Sequence, residues 1–281
     1  MMVSAKTIDD IRRALRGADC DTLVAFDCDE VLTTILEHAC KGHSNRFFTE
    51  WCSRNATSCA ERGIFDVATF ILVSSENRLV DEKMPGIVKN LLEKKAKAVV
   101  LTALSTKPVA DVHDPIAWRV ATLNRLGYNF GDFWPSLADR RFDEFACEYP
   151  PAYSSGVICC GDVPKGEALL AFLKHSGAAP KKIIFIDDKM ENLENVSAVC
   201  ADVGIAFVGV EYVEADQMAS NVHFSEKRIE FQLSTLREKR IWISDLEAEE
   251  HMSSANAIEN IPYAAIEKLR KSPRTSAVSV P

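Results

Sequence analysis

The sequence lacks any apolar run long enough to cross a bilayer. Its longest runs, around Val99 and Ile183, are strand-length, against the roughly 20 residues a membrane helix needs. It also lacks a long Lys/Arg run, and its 33 basic residues face 41 acidic ones for a formal net charge of −8. Neither nucleic acid nor an anionic membrane is therefore expected as a partner held through the net field of the chain. The opening MMVSAKTIDDIRRALRGAD is charged from position 6 onward and has no apolar segment of about 7–15 residues of the secretory type. A soluble, cytoplasmic protein is expected. Cysteine is not scarce: there are nine, Cys20, Cys28, Cys40, Cys52, Cys59, Cys147, Cys159, Cys160 and Cys200. An odd number scattered over a long chain reads as reduced thiols rather than a disulfide scaffold. No internal repeat is present. At 281 residues, 47% apolar and 26% charged, the chain can bury a sizeable core, which excludes disordered and collagen-like classes. Its length suits one large domain or a core domain with a second module.

Five short apolar runs read as buried strands: Thr22–Cys28, Lys97–Thr102, Gly156–Cys160, Lys182–Asp187 and Gly204–Val208. Helical patterns lie between several of them. Met84–Lys94 carries Pro85 in its first turn and places Ile87, Val88, Leu91 and Leu92 on one face. Pro115–Leu126 and Lys165–His175 are similar, the latter stopped by Gly177 and Pro180. Strands alternating with helices predict a doubly wound, Rossmann-like α/β fold with a parallel sheet. Ligands in such folds sit beyond the carboxyl ends of the strands, where the strand order switches.

About 68 residues separate Cys28 from Lys97, more than a crossover needs. The intervening segment is expected to be a small helical cap over residues 33–83, with helices over Asn45–Arg62 and Phe65–Leu72 and an aromatic cluster of Phe47, Phe48 and Trp51 that suits a cap core. The core is expected over 18–32 and 84–245, including a helix over Ser225–Arg240 packed on it, and 246–281 is expected to be an extension with a disordered end from about Lys271.

The first strand ends in Phe26-Asp27-Cys28-Asp29-Glu30-Val31, and the Ile183–Ile186 strand ends in Asp187-Asp188 with Asn192 just beyond. Carboxylates gathered where backbone hydrogen bonding ends are costly without a cation. Mg²⁺ is the natural one, a hard ion that takes oxygen ligands and keeps waters and a phosphate. If the two strands are neighbours, four carboxylates converge. Lys165 opens a helix, a poor electrostatic position for a cation unless an anion is near.

These residues, in this order, resemble the haloacid dehalogenase-like superfamily of aspartate-nucleophile phosphohydrolases, across most of residues 20–210. Asp27, Asp29 and Val31 match its first motif, Thr102 after Ala98–Leu101 its second, Lys165 its third, and Asp187, Asp188 and Asn192 its fourth. The layout is similar to a little-characterised group of bacterial members. The resemblance implies a Mg²⁺-dependent phosphatase acting on a small phosphorylated substrate through an aspartyl-phosphate. Asp27 would be the nucleophile and Asp29 the general acid and base. Metal would be held by the Asp27 and Asp188 carboxylates and the Asp29 carbonyl, oriented by Asp187 and Asn192. Thr102 and Lys165 would bind the phosphoryl oxygens. Asp29 favours a phosphatase over a dehalogenase, because departing halide needs no proton. Glu30 and Val31 depart from the commoner Gly and Thr, and Asn192 from Asp, which leaves the substrate open. The alternatives are a binding or regulatory protein with little turnover, and a phosphotransferase or mutase.

His38, Cys40, His43 and Cys52 match no zinc spacing, though either His could touch substrate. Cys28 lies between the two acids, where oxidation would disturb the site, so peroxide sensitivity is expected. Oligomeric state is not legible in the sequence.

Overall fold

Runs such as Thr22–Phe26 are apolar at every position because both faces of a parallel sheet are covered by helices. The computed structural model describes residues 1–37, 39–41, 45–215 and 225–253, and it divides the described residues into two compact units. The first comprises Met1–Thr34, Arg78–Pro108 and Val112 onward through the last strand; the second comprises Ile35–Asn77, Val109–Asp111 and the C-terminal helices.

The first unit is α/β, its sheet mostly parallel. In chain order its strands are β1 (Met2–Ala5), β2 (Thr22–Phe26), β5 (Lys97–Thr102), β6 (Arg140–Arg141), β7 (Ala152–Ser154), β8 (Val157–Cys159), β9 (Lys182–Asp187) and β10 (Ala206–Tyr212). A separate two-stranded sheet joins β3 (Thr33–Ile35) and β4 (Asn77–Leu79). The eight strands lie in the order β1-β10-β9-β2-β5-β8-β7-β6. All neighbours are parallel from β1 to β8, and β7 and β6 extend the sheet antiparallel. From β2 the chain steps outward through β5 to β8, then returns to the far side of β2 as β9. The strand order therefore switches between β2 and β9, and their ends are the place for a ligand site.

Helices α1 (Ile8–Ala14), α4 (Met84–Glu93), α5 (Pro115–Arg125), α6 (Lys165–Ser176) and α7 (Met190–Asp202) belong to this unit. Their ends follow local chemistry. Thr7 and Asp10 form a reciprocal capping box on α1, Asp114 accepts the Ala117 N–H at 3.0 Å at the start of α5, and α6 stops at Gly177 in the left-handed region, φ +65°.

The β7–β8 turn depends on glycine. Ser155 and Gly156 both have positive φ, +47° and +81°, as a two-residue turn joining twisted strands requires. A Cβ on Gly156 would lie 2.5 Å from the Phe130 carbonyl oxygen, which is backbone and cannot rotate away. Gly156→Ala should therefore cost about 3 kcal/mol, lowering Tm by roughly 6–12 °C in a thermal melt. A loss below about 2 °C would mean the turn relaxes freely.

The second unit is helical: α2 (Asn45–Glu61), α3 (Val67–Ser74), α8 (Glu226–Lys239) and α9 (Asp245–Ser253). Phe48 and Trp51 are buried with Phe70, Ile229, Leu233 and Trp242. Trp51 Nε1 donates to Glu230 at 3.1 Å and Arg237 to Asn55 at 2.6 Å.

Several boundaries differ from the sequence reading. The helix expected on the core over Ser225–Arg240 instead joins the second unit, because Ile229, Leu233 and Leu236 fit the apolar face of α2. The insertion expected over 33–83 contributes 35–77 to that unit. The core expected to begin at 18 starts at the N-terminus, since Met2–Ala5 pairs in parallel with Gly209–Tyr212. The last parallel strand runs over Ala206–Tyr212, not Gly204–Val208, because Gly204 takes φ +74° to leave α7. The tail from Lys271, and His38 and His43, lie outside the described residues. No helix of the described residues is long and apolar enough to cross a membrane.

Candidate functional site

β2 lies between β9 and β5, with Phe26 level with Ile186 on one side and Val100 on the other. The next backbone step is still held, Asp27 N–H donating to the Ile186 carbonyl at 2.8 Å. Asp27 is thereby fixed in height beside Asp187, the last residue of β9. Carboxylate oxygens of Asp27, Asp187 and Asp188 all lie within 4.8 Å of one another.

The three carboxylates are not equivalent. Lys165, 4% exposed, reaches Asp27 Oδ1 at 2.8 Å and Asp187 Oδ2 at 2.7 Å. Asp27 Oδ1 also accepts the Cys28 N–H at 2.7 Å. Asp187 Oδ1 accepts from Asn192 Nδ2 and the Lys189 N–H, both at 2.9 Å. Asp187 thus takes donors from Lys165, Lys189 and Asn192 on its two oxygens. Asp188 has no hydrogen-bond donor among the described residues. Burial, then the charges of Asp27 and Asp187, push its carboxyl up to about 8. Burial and Asp27 also raise Asp187, and the two carboxylates beside Lys165 raise its ammonium despite burial.

Lys165 owes its place to a close helix contact. Pro164 offers α6 no side-chain cap, so Asn195 of α7 takes that role, its Oδ1 accepting the Gly166 N–H at 2.8 Å. A Cβ at Gly166 would lie 2.7 Å from Val199 Cγ2, so only glycine lets α7 approach the first turn of α6 this closely.

The fourth expected carboxylate is held elsewhere. After β2 the chain turns tightly: Leu32 and Thr33 N–H both donate to the Cys28 carbonyl at 2.9 Å, and Glu30 N–H to the Thr33 carbonyl at 2.7 Å. Glu30 sits at φ +63°, a conformation that costs a non-glycine residue about 1–2 kcal/mol; its carboxylate accepts from Thr34 Oγ1 at 3.0 Å. The turn carries Asp29 Oδ2 to the Nη2 of Arg119, 2.8 Å away. Convergence of four carboxylates, the expectation for neighbouring strands, is thus replaced by three, with Asp29 on a buried arginine of α5. Burial raises the Asp29 carboxyl even against Arg119, and Arg119 is itself raised by Asp29. Sequence reading missed Arg119. Its signal was a cation in the buried stripe Pro115, Arg119, Leu123 of α5, a position that in an ordinary amphipathic helix is apolar.

Thr102 is the last residue of β5, buried, with its Oγ1 accepting the Leu104 N–H at 3.2 Å. Cys28 is fully buried, and burial pushes its thiol up to about 12; the peroxide sensitivity considered for it lacks the exposed thiolate it needs. Cys40 and Cys52 pack against the core of the second unit. All nine cysteines are free.

The three carboxylates are close enough that their oxygens could hold a metal ion. A buried cation bridging two carboxylates at a strand switch point can hold an anionic ligand against them.

The chain belongs to the family described as Protein of unknown function (DUF2608), which matches it over residues 4–249. An uncharacterized protein of Rickettsia prowazekii (strain Madrid E) is 24% identical over 237 residues, 84% of each chain. A Chlamydia pneumoniae protein, whose name provisionally assigns it to the outer membrane, is 36% identical over 72 residues, 26% of this chain and 27% of its own. No solved structure matches.

Proposed function

We propose that this chain is a Mg²⁺-dependent phosphoester hydrolase of the haloacid dehalogenase-like kind, acting through an aspartyl-phosphate on a small phosphorylated substrate. The observation that carries the reading is the placement of Asp27 just beyond the central strand, with Lys165 at 2.8 Å and the Asp187 and Asp188 carboxylates within 4.8 Å. An aspartate serving only as a structural anchor has no use for an adjacent carboxylate left without a donor.

The residues have separable tasks. Asp27 attacks phosphorus; the new bond is Asp27 Oδ–P and the bond broken is P–O to the alcohol. Asp29 gives its proton to the departing oxygen, then takes one from the water that cleaves the acyl phosphate. Lys165 holds the phosphoryl oxygens and keeps Asp27 oriented, and Thr102 donates to one of those oxygens. Asp27 and Asp188 would hold the cation, with Asp187 and Asn192 orienting the shell. Bound Mg²⁺ supplies the positive charge that lets two anions, carboxylate and phosphate, approach each other. Nine free cysteines suit a reducing compartment such as the cytoplasm.

The test is phosphate release from a panel of aryl, sugar and alkyl phosphates with Mg²⁺ and with chelator. Turnover that requires Mg²⁺ is expected on at least part of the panel. Release that is unaffected by chelator, or none on any member by a protein that binds Mg²⁺, overturns the reading.

A further inference from the structure

Arg119 is the charged residue that the mechanism above leaves without a task. It is fully buried, at 0% exposure, on the face of α5 that packs toward β7 and β8. Its one ion pair among the described residues is with the Asp29 carboxylate, Nη2 to Oδ2 at 2.8 Å, and its guanidinium stacks 4.9 Å from the Trp118 ring. Arginine frequently grips a carboxylate through two parallel bonds. Here the contact is single. Arg119 Nε and Nη1 and Asp29 Oδ1 are all buried and without a hydrogen-bond partner among the described residues. Three orphaned polar atoms in one pair are costly, and such costs are retained where the arrangement serves a reaction.

We infer that Arg119 is a positioning residue for Asp29, and that through it the site is built for phosphate esters of aliphatic alcohols. The inference rests on the phosphoester hydrolase reading. As the Asp27 Oδ–P bond forms and the ester P–O bond breaks, the proton of the Asp29 carboxyl moves to the leaving oxygen. The Asp29 carboxylate so formed lies against the Arg119 guanidinium, which offsets the new charge where water is scarce. In the second half the same carboxylate takes a proton from water. Arg119 itself transfers nothing. It fixes one carboxylate oxygen, so the acid meets the leaving group in one orientation. An aryl phosphate, an acyl phosphate or an anhydride departs as a stable anion and gains little from that arrangement. An alkoxide cannot depart without the proton.

The experiment compares kcat/KM for 4-nitrophenyl, phenyl and ethyl phosphate in wild type, Arg119→Met and Arg119→Lys, with Asp29→Asn as reference. Arg119→Met is expected to lose at least about tenfold more on ethyl than on 4-nitrophenyl phosphate. Asp29→Asn should show the same selective loss, and Arg119→Lys, which keeps a cation but not the planar fork, should regain part of it. Equal losses on all three esters overturn the inference while leaving the hydrolase reading intact. A wild type inactive on all three despite bound Mg²⁺ overturns both. Should Arg119→Met fail to fold, the ethyl-to-nitrophenyl ratio of Arg119→Lys decides: an unchanged ratio overturns the inference, and a fall supports it.

Discussion

Asp27→Asn is expected to lower phosphate release by about 10⁴-fold or more, the scale on which removal of a nucleophile acts, with Tm changed by no more than about 2 °C. The two halves belong together. Asp27 Oδ1 accepts from the Cys28 N–H and from Lys165, and an amide oxygen can accept both. The substitution therefore keeps size and hydrogen bonds and removes the charge that makes the oxygen a nucleophile. It also removes one of the negative charges that raise Asp187 and Asp188, so the fold is not weakened by new repulsion. The measurements are steady-state release and a melt on the same preparation. Activity within about tenfold of wild type would mean that water, not Asp27, attacks phosphorus.

Asp27, Thr102 and Asp187 were legible because they sit at ends of unbroken apolar runs. Lys97–Thr102 and Lys182–Asp187 have the bounds read from sequence, since each run is closed by a polar residue that a buried strand cannot continue through. What the sequence concealed is long-range. The local sign of Arg119 is a lone cation in the buried stripe of α5; its meaning appears only when Asp29, 90 residues away, is carried to it by the left-handed turn at Glu30. Gly166 and Asn195 are concealed for the same reason, because the close approach of α6 and α7 depends on two helices at once. Met2–Ala5 was missed as a four-residue edge strand, too short for an alternation to register. The second unit was read as a single insertion because the apolar stripe of α8 fits either neighbour in sequence terms. Only its packing with Trp51 and Phe70 assigns it.

Asp188→Asn is expected to make the metal-free protein more stable at pH 8 and to abolish most of its response to Mg²⁺. In the folded state burial and two neighbouring carboxylates hold the Asp188 carboxyl at about 8, above the ordinary value of 3.8. Between those values the folded chain binds a proton that the unfolded chain does not. Stability from this group is therefore full below about pH 4 and lost as pH rises toward 8. Asparagine carries no charge to bury, so the variant escapes the loss. The Tm difference between variant and wild type, both in chelator, should be near zero at pH 4 and grow in the variant's favour up to pH 8. Each pH unit through which the folded chain alone holds that proton costs at most about 1.4 kcal/mol, which corresponds to roughly 3–6 °C in Tm for a chain of this size. Mg²⁺ reverses the order. Wild type gains stability by mass action as the cation satisfies Asp188, the gain weakening by up to about tenfold in affinity per pH unit below 8, because the metal must displace the proton. The variant, with one charged ligand fewer, gains little. Melts of both proteins at pH 5 and 8, with Mg²⁺ and with chelator, give the four differences needed. A wild type whose Tm is indifferent to Mg²⁺ at pH 8, or a variant no more stable than it in chelator, would show that the Asp188 carboxylate finds its compensation within the protein and is not the open ligand of a cation site.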